Sequence, residues 1–173
     1  MEEPQQPTIN TSIETDLSLT KVPELTQEEK ERFLKSVLAD KPYEETFSLF
    51  DGQMKVTVRS MTVAENNDVV TQIMEDRDKG IASDNDAYFI TIASYRLAQS
   101  LVSIDGVPFS MINKDTFVAT PEAPSYILAK VAPLKLWSTA KLAIFLDAFK
   151  LFESKVLRLT NAVQTVNFWK ASA

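Results

Sequence analysis

Carboxylates at close spacing are the residues here whose types most suggest chemistry: Glu44-Glu45, Glu75-Asp76 and the run Asp76-x-Asp78-x-Gly80. Two carboxyl groups can divide acid and base work when their surroundings push their pKa values apart. Adjacent positions on a strand or helix point apart, however, and no apolar pocket around these pairs is legible. The Asp76 run begins like a calcium loop, but that pattern needs an oxygen ligand at position 80 and glycine at 81. Gly80 and Ile81 stand there instead. Asp84 and Asp86 read as charges at a helix start, so no metal site is expected.

Other catalytic chemistries lack their side chains. There is no His and no Cys in 173 residues, which removes the usual proton shuttle, the thiolate nucleophile, the disulfide and the thiolate metal site. Three glycines cannot write a phosphate-cradling loop, and neither an S-x-x-K nor a G-x-S-x-G nucleophile motif is expected. The expectation is a non-enzyme with no cofactor, working as an interaction or assembly protein.

The formal net charge of −6 is unevenly spread: positions 130–173 hold seven Lys/Arg against Asp147 and Glu153, a net of +5, leaving −11 for the first 129. Such asymmetry suits head-to-tail self-association or docking on a charged neighbour; it equally suits two differently charged solvated faces. Lys135, Lys141, Lys150, Lys155 and Arg158 share no single helical spacing, and the acidic remainder would repel phosphates, so no nucleic-acid partner is expected. The start Met1-Glu2-Glu3-Pro4 has neither the basic nor the apolar region of a signal peptide. The most apolar stretch, Leu142 to Phe152, is interrupted by Asp147 and Lys150, so no membrane span is expected.

These residues must be positioned by one compact domain over 25–173, preceded by an arm over 1–24. Pro4, Pro7 and Pro23 deny the arm a periodicity, and Ile9, Ile13, Leu17 and Leu19 give it sparse apolar anchors. Thr26 and Glu29 form a capping box opening a helix to Ala39, with Phe33, Leu34, Val37 and Leu38 as its stripe. Glu44–Phe50, Asp51-Gly52 and Gln53–Ser60 read as a hairpin in which Leu49 faces Met54, Phe47 faces Val56 and Glu44 faces Arg59. A second capping box, Thr62 and Glu65, opens a helix to about Lys79, with Gly80 ending it and Val69, Val70, Ile73 and Met74 as its buried stripe.

A third helix is expected over Asp84–Ser103, then a turn at Ile104-Asp105-Gly106-Val107 that can form a small hairpin reaching Phe109. Ser125–Val131 reads as a short helix. Pro133 suits the first turn of another, which runs from Leu134 to about Ala162 without Gly or Pro and spans about 40 Å. Trp137, Ala140, Ile144, Ala148, Leu151 and Leu159 trace its stripe, widened by Phe145, Phe149, Phe152 and Val156. The fold class is thus α+β and mostly helical, a hairpin packed on helices with a long C-terminal helix. The candidate partner-binding residues are Ile9, Ile13, Leu17 and Leu19 of the arm, with Trp137, Ile144, Phe145, Phe149, Phe152 and Trp169.

The segment from Phe50-Asp51-Gly52 through Val58-Arg59-Ser60-Met61-Thr62-Val63-Ala64-Glu65 has a strand ending and a helix beginning in an R-x-L-T-x-x-E cadence, with Met61 where Leu is usual. Tyr95 to Gly106 is a helix ending in I-D-G before a short turn. Together, over roughly residues 47–109, they resemble small tail proteins of bacteriophages, namely tail assembly chaperones and small baseplate or hub proteins. The resemblance does not account for the arm or the long helix. It implies a structural component of a phage tail or baseplate, made in the host cytoplasm and carried in the virion. Its partners would be other tail proteins or further copies of itself. Two alternatives stand beside it: a transient chaperone of the tape-measure or hub protein, and a bacterial adaptor that takes a peptide or helix in a groove.

Overall fold

The computed structural model describes residues 24–81 and 85–164. Its order is α1 (Gln27–Leu38), β1 (Glu44–Leu49), β2 (Met54–Arg59), α2 (Val63–Asp78), α3 (Asn85–Ser100), β3 (Leu101–Ile104), β4 (Val107–Pro108), α4 (Tyr126–Val131) and α5 (Thr139–Gln164). Short 3-10 turns lie at Lys114–Thr116 and Ala132–Leu136. The architecture is α+β and mostly helical, with a four-stranded antiparallel sheet in the order β1-β2-β3-β4.

Both capping boxes form: Thr26 and Thr62 each accept the N3 backbone amide, while Glu29 and Glu65 each bond back to the cap amide. Such reciprocal bonds satisfy two otherwise free donors at a helix start. The hairpin takes the expected register, with Leu49↔Met54, Phe47↔Val56 and Glu44↔Arg59. Asp51 and Gly52 carry the two positive φ angles of a type I′ turn, and Phe50 is left-handed as well. Arg59 does not pair with Glu44 as the register suggested; its guanidinium turns to Glu65 with bonds of 2.9 and 2.5 Å.

α3 stops at Ser100, three residues before its expected end, because Leu101–Ile104 leave the helix to pair with β2. The I-D-G turn then closes the small hairpin, and Phe109 N–H donates to Val102. α4 forms as expected, capped by Ser125. Pro133 sits in the 3-10 turn rather than opening the long helix. Trp137 is extended, and Ser138 Oγ accepts the Lys141 amide, so α5 begins at Thr139.

Three stripes differ from expectation. On α1 only Phe33 is buried, and Val37 and Leu38 are exposed. On α2 the buried residues are Val69, Gln72 and Asp76, with Val70 and Met74 outside. On α5 the buried face is Phe145, Leu146, Phe149, Phe152 and Leu159, while Leu151 is 74% exposed. These α5 residues join Val56 and Val58 of the sheet, Phe33, Tyr43, Leu97 and Ile127 in one contiguous core cluster.

Candidate functional site

The capped junction from β2 to α2 forms one wall of an open groove of about 400 Å³. Arg59 to Val63 and Asn66 line that wall, Phe149, Phe152, Glu153, Val156 and Leu157 line the other, and Arg96 and Ser100 of α3 complete it. The β2 strand ends at Arg59 and the Thr62 cap starts α2 four residues further on, so Ser60, Met61 and Thr62 pass along the rim as an ordered corner.

Charges in the groove occur as neutralised pairs. Arg96 donates through Nε (2.9 Å) and Nη2 (2.5 Å) to Glu153 Oε1, and its Nη1 reaches Asn66 Oδ1 at 3.3 Å. Arg59 and Glu65 form a two-pronged pair beside it. Burial would raise the Glu65 carboxyl, but the bonds from Arg59 and the Thr62 amide outweigh it and hold the pKa below the usual range. Between these pairs the floor is Phe149, Phe152 and Val156, and at the mouth Val63 and Leu157 stand 79% and 62% exposed. An apolar floor flanked by charge-neutral pairs favours an amphipathic protein segment over a polyanion.

Behind this wall lies a buried polar cluster. Tyr95 donates to Asp76 Oδ2, Gln72 Nε2 donates to Asp76 Oδ1 at 2.8 Å, and Ser125 donates to Gln72 Oε1. Burial first, then the bond to Asp76, push the Tyr95 phenol well above its ordinary range. Every polar atom of this set that meets another is already engaged within the chain, and the set ties α2, α3 and the cap of α4 together. A separate clip is made by Lys155, whose Nζ lies 2.6 Å from both Glu29 of α1 and Glu45 of β1.

The structure divides the expected contact residues. Ile9, Ile13, Leu17, Leu19 and Trp169 lie outside the described residues. Phe145, Phe149 and Phe152 are core residues: their rings are spent on the chain's own interior, because α5 turns that side to the sheet. Phe149 and Phe152 still back the groove. Trp137 precedes α5 and packs on Phe145 with ring centroids 4.6 Å apart, under the Lys141 ammonium at 4.3 Å. Ile144 remains partly exposed. The sequence reading missed Val63, the first residue of α2, and Leu157 of α5, because the groove they flank joins elements far apart in the chain. The expected absence of S-x-x-K is corrected as well: Ser138-x-x-Lys141 has the spacing of a serine–lysine nucleophile pair. Here Ser138 caps α5 and Lys141 covers the indole.

Among the described residues no group of three or more acidic, His or Cys side chains could hold a metal ion, and no helix is long and apolar enough to cross a membrane. No family model, curated protein or solved structure matches the chain.

Proposed function

We propose that this chain is a non-enzymatic structural component of a bacteriophage tail or baseplate, acting through protein–protein contacts in an assembled particle. The observation that carries the reading is that Arg59-Ser60-Met61-Thr62-Val63, the segment bearing the tail-protein cadence, walls the 400 Å³ groove against α5. Val63 and Leu157 at its mouth are apolar and exposed, and the paired arginines beside them give a partner segment both apolar area and orientation. In this reading the partner is another tail protein or a further copy of the chain.

The experiment is light scattering on the purified chain, followed by a search for it in purified particles. A chain present at fixed copy number supports the proposal, and Leu157→Glu then lowers incorporation at least tenfold while leaving the melting temperature unchanged. Absence from particles sinks it.

One observation favours a second reading, the adaptor. The groove has the apolar floor and charged flanks suited to laying in an amphipathic helix. A soluble helical ligand bound at micromolar strength and released by Leu157→Glu, by a chain absent from particles, would select it. A transient tail assembly chaperone is told apart by binding the tape-measure or hub protein before assembly and leaving afterwards.

A further inference from the structure

β1 is an edge strand, hydrogen-bonded to β2 on one side and to no described strand on the other. Beside that edge lies a second groove of about 260 Å³, walled by Phe47 and Leu49 of β1 and by Ala148 and Leu151 of α5. Leu151 is 74% exposed although its neighbour Phe152 is core, so an apolar side chain stands beside a strand edge with nothing described over it. Unpaired strand edges next to apolar pockets are sites for an added strand, whose alternate side chains fill the pocket.

The occupant is indicated by where the chain leaves the described body. Leu25 packs against the core cluster, and Glu29, in the first turn of α1, shares the Lys155 ammonium with Glu45; Glu45 and Lys155 themselves line this groove. Twenty-three residues precede Glu24. Six residues of extended chain reach about 20 Å, which brings position 19 back from Leu25 across a six-residue strand of about the same length. The sequence there is Asp16-Leu17-Ser18-Leu19-Thr20, in which polar and apolar residues alternate. That period places Leu17 and Leu19 on one face of an extended segment, matching Phe47 and Leu49 on β1.

We propose that residues 16–20 of the same chain add to the free edge of β1, with Leu17 and Leu19 in the groove between β1 and α5. Attachment so close to the groove gives the segment a local concentration in the millimolar range, which favours the chain's own arm over a second copy. The inference does not depend on the tail reading.

Amide hydrogen exchange on the full chain tests it, with light scattering at two concentrations alongside. The β1 amides that point away from β2 should exchange at least tenfold faster in Leu17→Asp/Leu19→Asp than in the parent. Leu151→Asp should release the same amides from the other side of the groove, while Val56 and Val58 stay protected in both variants and the mass remains that of one chain. Equal β1 exchange in parent and variants overturns the proposal. So does β1 protection that falls on dilution together with a dimeric mass, since the occupant would then be a second copy.

Discussion

Lys130 Nζ donates a 3.0 Å hydrogen bond to Oε1 of Gln99, and both side chains are buried, with Gln99 completely enclosed. Among the described residues Gln99 Nε2 has no hydrogen-bond partner. Among the described residues the ammonium has this bond and the face of the Tyr126 ring at 5.5 Å. An ammonium with one hydrogen bond in a closed interior is expensive to keep charged.

The first prediction concerns pH. Burial, reinforced by Arg59, pushes the Lys130 pKa down from 10.5 to about 8. Below pH 8 both folded and unfolded chains are protonated there, and the cost of burying the charge is present in full. Between pH 8 and 10 the unfolded chain binds more protons, so stability rises with pH, by on the order of 2 kcal/mol. From pH 10 upward Tyr43, Tyr95 and Tyr126, all raised chiefly by burial, act in the opposite direction. Urea unfolding at pH 7, 8, 9 and 10 should show the rise, and Lys130→Met should flatten it. A parent chain whose stability falls between pH 8 and 9.5 would refute the assignment.

Tyr95→Phe removes the phenol that donates to Asp76 and leaves a buried carboxylate oxygen with one partner fewer. The expected loss is about 1–3 kcal/mol, measured by chemical denaturation. A loss below half a kilocalorie would mean that water replaces the phenol and that the cluster is more open than its burial indicates.

On α5, Phe149→Ala should cost about 3–5 kcal/mol, since the ring is enclosed in the core. Leu157→Ala, eight positions on and exposed, should change stability by no more than about 0.5 kcal/mol. Thermal melts of the two variants decide the phase of the helix directly; equal losses would contradict it.

Lys155→Met leaves Glu29 and Glu45 facing each other without their shared cation, at an expected cost of about 1.5–3 kcal/mol at pH 7. The Lys155 bond is the leading reason that the Glu29 carboxyl lies below its ordinary 4.5. A carboxyl depressed by folding contributes stability that is present above the unfolded pKa and lost as pH falls through the folded one. The parent should therefore lose stability below about pH 4.5 more steeply than the variant, as acid titration of the folded fraction would register.

The elements governed by local chemistry were legible. Thr26–Glu29 and Thr62–Glu65 are bonds between residues three apart, and Asp51-Gly52 sets the hairpin register through its own backbone angles. Faces were less legible, because they depend on what packs across from them. Gln72 and Asp76 are inside α2 on account of Tyr95 and Ser125, residues 19 or more positions away, and no apolar period announces a buried polar set. On α5 the expected Phe145, Phe149, Phe152 and Leu159 are buried, while the Ala140, Ile144 and Leu151 side of the expected stripe is exposed. Trp137 was counted as helical, whereas Ser138, a good N-cap residue by type, marks the true start. The groove was illegible as a whole: Arg96 and Glu153 meet from positions 57 apart.

The placement of α5 also orders events during synthesis. Val56 and Val58 leave the ribosome some ninety residues before Phe149 and Phe152, which belong to the same core cluster. At about 5–20 residues per second the hairpin waits several seconds before its core is complete. Slowing translation between α4 and α5 should lengthen that interval and lower the yield of folded protein.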